Sequence, residues 1–408
     1  MTTGYEVCRA QIKDRVMELL QTEECLEDEA VFDCIEEIAQ SFAGYRLLRP
    51  KDKAKLLKEI FNSIRKLDLL EELLEQQDIT EIMINSYDSI FIERNGRIER
   101  YEGQFESESR YMDIIQQIVS RCNRAVNGAN PIVDARLEDG SRVNVVLSPI
   151  ALQGSCMTIR HFRDKPLEMQ DLIHMGCITA ECAEFLRKLV IAKYNIFVSG
   201  GTGAGKTSFL NILSGYIPEE ERIITLEDSA ELRLMNTPNL VRLETRDSQE
   251  KDCRSITMRD LIKTSLRMRP SRIIVGEVRG EECMDMLQAM NTGQEGSMST
   301  GHSNSGRDMI ARLETMCLMA QELPITAIRR QIMSINIIVH LGRLRDRSRK
   351  VLEVWELTEM EQGEIRMKLL YMFQEEGEEN GKVLGKLEKV GELTNTGKLK
   401  MAGFTVFA

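Results

Sequence analysis

Residues 200–207 read Gly-Gly-Thr-Gly-Ala-Gly-Lys-Thr, which completes the pattern G-x-x-x-x-G-K-[ST] of a phosphate-binding loop. Glycines at these positions let the backbone curl so that successive N–H groups point at phosphate oxygens. Lys206 can reach the β- and γ-phosphates of a nucleotide, and the Thr207 hydroxyl can hold Mg²⁺. The residues expected to bind ATP are Gly201, Thr202, Gly203, Ala204, Gly205, Lys206, Thr207 and Ser208.

The sequence on either side of this loop favours the same interpretation. Residues 195–199 form a short apolar run that is typical of a buried strand, and residues 207–213 suit a helix whose N-terminus faces the phosphates. From residue 179 onward, strand-like and helix-like segments alternate. This alternation predicts an α/β domain with a parallel sheet.

Composition limits the class of protein. The 408 residues are enough for two or three domains, and 42% hydrophobic with 29% charged residues indicates a folded globular chain. A formal net charge of −11 argues against a surface that binds nucleic acid throughout. The first residues carry no basic-then-apolar signal and no apolar run approaches the ~20 residues of a membrane span. We therefore expect a cytoplasmic protein that meets a membrane only through partners.

Cysteine and histidine spacing gives no metal signature. Of the ten cysteines only Cys177 and Cys182 are close in sequence, and their spacing is not that of a zinc knuckle. Only four histidines are present. We interpret the cysteines as small core hydrophobes, with a structural zinc site as the alternative.

The chain is predicted to have three parts. Residues 1–66 show apolar side chains at helical spacing and form an N-terminal helical region of adaptor or packing type. Residues 67–165 form a small α/β domain, residues 166–178 a linker, and residues 179–408 the nucleotide-binding domain, whose end from residue 375 is a polar and partly mobile appendage. Within the small domain the predicted strands are 79–85, 89–94, 97–102, 141–147 and 155–162, with a helix at 111–125.

Two apolar segments end in carboxylates. Residues 222–228 end in Glu227 and Asp228, which can orient an attacking water or complete a Mg²⁺ shell if the strand ends at the ligand crevice. The alternative is an acidic helix cap. Residues 272–277 end in Glu277, as a Walker B element requires, and the alternative is a solvated glutamate at the end of a buried strand.

A histidine and two groups of arginines complete the candidates. His302 closes a segment rich in Gly, Ser and Thr, and it can sense a γ-phosphate or be a purely structural residue. Arginines are dense at Arg136, Arg142, Arg160 and Arg163, and again at Arg242, Arg246, Arg267, Arg269, Arg272 and Arg279. Guanidinium groups bind phosphates bidentately, and in an oligomer one subunit can complete its neighbour's site. For most of these arginines the alternative is a simple surface charge.

With these elements in order, the chain resembles the secretion ATPase superfamily of type II and type IV secretion and type IV pili. Within it, the closest resemblance is to the CpaF-like ATPases of tight-adherence (Tad/Flp) pilus systems. The resemblance runs from about residue 67 to 357. The blocks that carry it are Val133-Asp-Ala-Arg136, Asp139-Gly-Ser-Arg142-Val-Asn144, Thr158-Ile-Arg160, Gly201-Thr-Gly-Ala-Gly-Lys-Thr207, Leu226-Glu-Asp228, Arg242-Leu-Glu-Thr-Arg246, Thr257-Met-Arg-Asp-Leu261, Leu266-Arg-Met-Arg-Pro270, Ile274-Val-Gly-Glu-Val-Arg-Gly280, Ser303-Asn-Ser305 and Arg312-Leu-Glu314.

The resemblance implies a homohexameric ring in which each subunit has a smaller N-terminal α/β domain hinged to a RecA-like P-loop ATPase domain. It implies an acidic box at Glu227-Asp228, a Walker B element at Glu277 and a His box ending at His302. It also implies that three N-terminal arginines reach the nucleotide; these are Arg136, Arg142 and Arg160. Two residues depart from the family pattern, Gln294 in place of a histidine and Gly301 in place of an apolar residue.

The combined prediction is a Mg²⁺-dependent ATPase that powers pilus assembly or secretion through an inner-membrane platform. Its catalytic residues are Lys206, Glu227, Glu277 and His302, and its metal ligands are Thr207, Glu227 and Glu277. Two alternatives are a nucleotide-gated structural subunit with little turnover and a RecA-type motor on nucleic acid. The acidic net charge and the single tryptophan count against the nucleic-acid motor.

Overall fold

The computed structural model describes residues 4–20, 27–94, 96–122, 124–137, 139–161, 167–235, 237–246 and 254–405. The chain divides into two compact units, Met1–Asp164 and Lys165–Ala408. Arg163 and the start of the predicted linker, residue 166, lie outside the described residues. We describe the two units separately.

The first unit begins with a small helical layer. Its helices are α1 (Gly4–Leu20), α2 (Asp28–Ser41), α3 (Ala43–Arg46) and α4 (Pro50–Arg65). Apolar residues three and four positions apart line one face of each long helix, and those faces pack together. Ile12, Val16, Ile35 and Ile60 are fully buried in this cluster. The predicted helical region therefore has a core of its own.

An antiparallel sheet follows the helical layer. Its elements are α5 (Leu69–Leu74), β1 (Ile79–Ser86), β2 (Ser89–Arg94), β3 (Arg97–Tyr101), α6 (Glu108–Arg121), β4 (Ile132–Arg136), β5 (Arg142–Val146) and β6 (Cys156–Arg160). The strand order is β3-β2-β1-β6-β5-β4, with every pairing antiparallel. Helix α6 buries Ile114, Ile115 and Ile118 in the same core as the sheet. Strand β4 is missing from the sequence prediction.

The second unit is a nine-stranded mixed sheet with helices. Its elements are α7 (Met169–His174), α8 (Ala180–Ile191), β7 (Ile196–Gly200), α9 (Lys206–Ser214), β8 (Ile223–Glu227), β9 (Leu240–Glu244), α10 (Met258–Ser265), β10 (Arg272–Val275), α11 (Glu282–Asn291), β11 (Met298–His302), α12 (Gly306–Ala320), α13 (Ile325–Ile332), β12 (Ile337–Arg343), β13 (Arg349–Glu361), β14 (Glu364–Glu379), β15 (Lys382–Lys389) and α14 (Gly397–Met401). The order is β15-β14-β13-β12-β7-β11-β10-β8-β9. The six neighbouring strands β12, β7, β11, β10, β8 and β9 are parallel. Strands β13, β14 and β15 extend the sheet beyond β12 with antiparallel pairing.

Both faces of the parallel part are covered. Along β7, Ile196 and Val198 belong to one core cluster and Phe197 to the other, and all three are fully buried. Helices α8 and α9 contribute to the first cluster, and α10 to α13 contribute to the second. Strands buried on two faces read as continuous apolar runs, which is why β7, β8 and β10 are recognisable in the sequence.

Two segments differ from the sequence prediction. The predicted linker at 166–178 contains α7, and its Met169 and Leu172 are buried in the core of the second unit. The predicted C-terminal appendage instead forms the end of β14, all of β15 and α14. Strands β14 and β15 complete one side of the sheet. Leu387 and Leu399 pack into the same core, so this end of the chain is an integral part of the unit.

Candidate functional site

The candidate catalytic residues of the second unit lie together at the carboxyl edge of the parallel strands. Gly200 ends β7, Glu227 ends β8 and His302 ends β11, while Glu277 comes two residues after β10. The register pairs His302 with Gly200 and Val275 with Leu226. In parallel sheets this edge is where ligands bind, because all the strands end there and the loops that follow face one crevice.

The phosphate-binding loop has the backbone that its glycines predict. Gly203 has φ 71° and Gly205 has φ 90°, both in the left-handed region, and α9 begins at Lys206 directly after them. A Cβ on Gly200 would lie 2.4 Å from the backbone oxygen of Leu341 on β12. The neighbouring strand therefore leaves no room for a side chain where the loop begins.

Lys206 lies inside the loop rather than in solvent. The residue is 8% exposed, and its Nζ donates to Gly201 O at 3.0 Å. The backbone N–H of Ala204 is directed to the same oxygen at 3.4 Å. Nζ is also 3.2 Å from His302 Nδ1. Because an ammonium can only donate, Nδ1 is the acceptor, and the proton of a neutral His302 ring is on Nε2.

His302 connects Lys206 to the Walker B glutamate. Its Nε2 lies 2.8 Å from Glu277 Oε1. Burial lowers the pKa of His302, Lys206 lowers it further and Glu277 opposes both, so the ring is neutral at pH 7. A histidine between a lysine and a carboxylate is a contact between two functional groups, which favours the functional interpretation of His302 over the purely structural one.

Glu277 also forms an ion pair with Arg279. Its Oε2 accepts from Arg279 Nε at 3.0 Å and from Arg279 Nη2 at 2.7 Å. Arg279 Nη1 lies 3.7 Å from Asp228 Oδ2. A continuous polar chain thus runs from Lys206 through His302, Glu277 and Arg279 to Asp228. It connects the carboxyl ends of four strands, β7, β11, β10 and β8.

Glu227 has a different environment from Glu277. It is 2% exposed, and its Oε2 accepts the backbone N–H groups of Glu231 at 2.6 Å and Leu232 at 2.8 Å. Burial raises the pKa of Glu227 to about 7, against the opposing effect of those two hydrogen bonds. No helix begins in residues 228–235, so Glu227 is not a helix cap. A carboxyl group with this pKa can gain or lose a proton near neutral pH.

The oxygen donors at this edge fit a shared magnesium ion. Among the described residues, no group of three or more His, Cys, Asp and Glu side chains is placed to hold a metal by itself. Mg²⁺ in nucleotide sites commonly takes one or two protein oxygens and completes its shell with phosphates and water. Glu227 Oε1 is buried and has no hydrogen-bond partner in the described part of the chain. Thr207, Glu227 and Glu277 therefore have the right chemistry to hold such an ion.

Arg272 is not part of the site. It begins β10, at the opposite edge of the sheet, and is fully buried. Its Nε and Nη2 donate to Glu221 at 2.8 and 2.7 Å, and its Nη1 donates to Val190 O. Burial alone would raise the pKa of Glu221, but Arg272 holds it below its ordinary value. The interpretation of this arginine as a phosphate-binding candidate is wrong.

The first unit places its three candidate arginines in one row. Arg136 on β4 pairs with Arg142 on β5, and Arg142 pairs with Arg160 on β6. Residues directly opposite on antiparallel strands project from the same face of the sheet. The three guanidinium groups therefore belong to one face of the first unit, across three neighbouring strands.

Sequence reasoning missed one arginine at the loop. Arg349, the first residue of β13, donates from Nε to Gly203 O at 2.8 Å. The signal was the alternation of arginines at 343, 345, 347 and 349, which is typical of a strand-turn-strand segment with one basic side. Its proximity to the loop depends on the position of β12 beside β7, and a local pattern does not contain that information.

The fold and the loop define a P-loop nucleotide-binding protein with a RecA-like domain. A family model described as "Type II/IV secretion system protein" matches residues 64–375. The chain therefore belongs to the type II/IV secretion system protein family. Among the described residues, no helix has the length and hydropathy needed to traverse a bilayer.

Named relatives agree with this family. A putative conjugal transfer protein of Mycobacterium tuberculosis is 33% identical over 300 residues, which cover 72% of this chain and 85% of that protein. The type IV secretion system protein PtlH of Bordetella pertussis is 32% identical over 318 residues, covering 71% of this chain and 93% of PtlH.

Solved structures share the fold. The ATPase DotB of Yersinia pseudotuberculosis is 17% identical with a TM-score of 0.51, and the match covers 72% of this chain and 79% of DotB. DotB of Legionella pneumophila is 20% identical with a TM-score of 0.50, over 72% of this chain and 81% of that one. At this identity the likeness shows the fold alone, an N-terminal domain followed by a RecA-like domain.

Proposed function

We propose that this chain is a Mg²⁺-dependent ATPase that cleaves the β–γ bond of ATP and drives a secretion or pilus-assembly machine. The observation that carries the proposal is the contact of Lys206 with His302 and of His302 with Glu277, next to a complete phosphate-binding loop. A purely structural loop has no need for a lysine and a carboxylate joined through a neutral histidine. The family of the chain supports the same conclusion.

In this proposal the loop and Lys206 bind the phosphates. Lys206 Nζ and the N–H of Ala204 are both directed to Gly201 O, so the two donors already converge on one point. A phosphate oxygen bound in the loop would replace Gly201 O as the acceptor, and it would receive these hydrogen bonds together with the positive charge of Lys206. Charge neutralisation of this kind lowers the barrier to phosphoryl transfer, because the protein contributes mainly position and electrostatics.

The two glutamates have separate roles. Glu227, with a pKa of about 7, is suited to accept a proton from the attacking water. Glu277 is held by His302 and Arg279, so a change in the position of the phosphates is transmitted along the polar chain to Asp228. Mg²⁺ would be held through Thr207 and Glu277 when Glu227 acts as the base, and it would supply charge that stabilises the leaving phosphate oxygens.

The row of arginines is the second part of the proposal. We assign Arg136, Arg142 and Arg160 to the phosphates of the nucleotide, as the resemblance to CpaF-like ATPases implies. Three arginines in one row supply the positive charge and the hydrogen-bond donors that a polyphosphate requires. We also propose the homohexameric ring that the resemblance to CpaF-like ATPases implies.

The wider setting follows from the same resemblance. We propose that the ring lies at the inner face of the cytoplasmic membrane and contacts multi-span platform proteins of a Tad/Flp-type pilus or a related secretion system. It would contact the membrane only through those partners and would not bind nucleic acid. The relatives named for conjugal transfer and type IV secretion support a machine of this general kind.

Phosphate release by purified protein tests the activity. Lys206→Ala and Glu277→Gln are each expected to reduce turnover by about 100-fold or more, since each removes a group that acts on the transferred phosphate. Glu281→Gln is the matched control, because this exposed carboxylate near Glu277 pairs with Arg259 and lies outside the polar chain. Full turnover by either of the first two variants would show that the site is assigned incorrectly.

The alternatives give distinct results in the same assay. A wild-type chain that binds ATP but releases no phosphate, even with its membrane partners, is a nucleotide-gated structural subunit. Stimulation of turnover by single-stranded DNA identifies a nucleic-acid motor. Either result replaces the function proposed here.

The arginine row has its own test. Arg142→Ala, at the centre of the row, is expected to raise the KM for ATP by about tenfold. The control is Arg100→Ala, because Arg100 lies on β3 at the other end of the same sheet. Mass measurement of the particles with and without ATP tests the ring. An unchanged KM in Arg142→Ala would remove the row from the nucleotide site.

A further inference from the structure

A hairpin of the sheet reaches the phosphate-binding loop from the side opposite to His302. Strand β12 runs parallel to β7, and Leu341 pairs with Gly200 at the point where the loop begins. Two residues further on, Arg343 ends β12. Strand β13 then returns, with Arg349 paired to Arg343. The position of this hairpin is thus fixed by the strand that leads into the loop.

We infer that Arg349 positions the phosphate-binding loop by fixing the orientation of one peptide group of that loop. Its Nε donates to Gly203 O at 2.8 Å. In a trans peptide the C=O and the following N–H point in opposite directions. Fixing the carbonyl of Gly203 toward Arg349 therefore directs the N–H of Ala204 away from the hairpin and into the loop, where it lies 3.4 Å from Gly201 O.

The loop needs such a constraint because of its glycines. Gly203 at φ 71° and Gly205 at φ 90° flank Ala204, and glycine is the residue whose backbone rotates with least hindrance. A Cβ on Gly205 would lie 3.4 Å from Arg349 Cδ, and one on Gly203 would lie 3.8 Å from Arg343 Nη1. The two arginines therefore lie against the outer side of the flexible part of the loop.

The base of the hairpin is itself anchored. Next to Arg349, Lys350 Nζ donates to Gly176 O at 2.7 Å, and Val351 N donates to Cys177 O at 2.9 Å. These contacts, with the ladder to β12, place the backbone of Arg349 on a rigid strand. A donor on a rigid element holds its acceptor more precisely than one on a loop.

The inference rests on the function proposed above and adds a residue to it. Because Arg349 orders the loop in the ground state and in the transition state alike, its loss is expected to weaken nucleotide binding more than the chemical step. A residue that only stabilised the fold would instead lower the unfolding temperature and leave the affinity of the remaining folded protein unchanged.

The test uses the full chain and a fluorescent ADP analogue. Arg349→Ala is expected to raise the Kd for the analogue and the KM for ATP by about tenfold each, with kcat within about twofold of wild type and an unchanged unfolding temperature. Arg349→Lys keeps a donor for Gly203 O and is expected to recover part of the affinity.

Arg345→Ala is the matched control from the same hairpin. Arg345 pairs with Glu375 and Glu378 on β14, at about half exposure, and such surface ion pairs contribute little to the position of a strand. Wild-type affinity in Arg349→Ala, or equal losses in Arg349→Ala and Arg345→Ala, would overturn the inference. A wild-type chain that binds no nucleotide would instead refute the proposed function, so the two failures are distinguishable.

Discussion

Glu227→Gln is expected to make the stability of the protein less dependent on pH and to make the protein less active. The substitution keeps the shape of the side chain and removes its charge, so the amide oxygen can still accept from Glu231 and Leu232. What it removes is the cost of holding a carboxylate where burial opposes it. Arg242 offsets part of that cost and Glu231 adds to it.

The magnitude follows from the pKa. The fold raises the pKa of Glu227 from 4.5 to about 7, and one pKa unit corresponds to about 1.4 kcal/mol. The charged form is thus destabilised by about 3 kcal/mol relative to the unfolded chain. Because the pKa is higher in the folded chain than in the unfolded chain, the folded chain binds the proton of Glu227 more tightly. The stability that this proton contributes is fully present below pH 4.5 and is lost as the pH rises through 7.

Denaturant unfolding at several pH values measures this effect. The one tryptophan of the chain, Trp355, is in β13, so its fluorescence reports on the second unit, which contains Glu227. The free energy of unfolding of Glu227→Gln relative to wild type is expected to rise by about 2–3 kcal/mol between pH 5 and pH 8. Its value at any one pH also includes the cost of burying the amide N–H₂ group where Glu227 Oε1 has no hydrogen-bond partner in the described part of the chain. Phosphate release by the same variant is expected to fall about 100-fold or more.

Glu281→Gln is the control, because that carboxylate is exposed and should change neither quantity. The reasoning would be refuted by a Glu227→Gln variant whose stability has the same pH dependence as that of wild type between pH 5 and pH 8. In that case Glu227 is ionised in the fold without cost, and its proposed role in accepting a proton loses its physical basis.

Three further substitutions test other features of the second unit. Arg272→Ala leaves Glu221 buried with only the half-buried Lys193 beside it, and it is expected to cost about 3–5 kcal/mol in denaturant unfolding. The double variant Arg272→Met with Glu221→Gln should cost much less. His340 is buried against Ser199, and burial lowers the pKa of its ring. The contribution of the neutral ring to stability is therefore present above pH 6.5 and is lost on acidification. His340→Asn should reduce the loss of thermal stability that is measured between pH 7 and pH 5. Gly200→Ala would place a Cβ 2.4 Å from a backbone oxygen, and we expect loss of nucleotide binding in a fluorescence titration even where the protein still folds.

The parts of the fold that the sequence predicts are those with a local cause. The strands β7, β8 and β10 are apolar because helices cover both faces, and the phosphate-binding loop is set by glycines within eight residues. The carboxyl-edge rule then predicts that Glu227 and Glu277 lie near the loop; Glu227 ends β8, and Glu277 follows the end of the neighbouring strand β10 by two residues.

The parts that the sequence does not predict depend on distant partners. Strands β14 and β15 are rich in Glu and Lys and have only scattered buried positions, so their composition resembles that of a mobile tail although they extend the sheet. Arg272 looks like any arginine near a strand until Glu221, 51 residues earlier, is placed against it. Arg349 likewise requires knowledge of which strand lies beside β7.

Strand β14 has a mechanical consequence. It contains 16 residues, so it extends over about 50 Å, and it is hydrogen-bonded through β13 and β12 to the strand that leads into the phosphate-binding loop. Hydrogen-bonded strands tilt together. A tilt of about 5° at one end of β14 would move its other end by about 4 Å, which is large enough to change the contacts of a protein bound there.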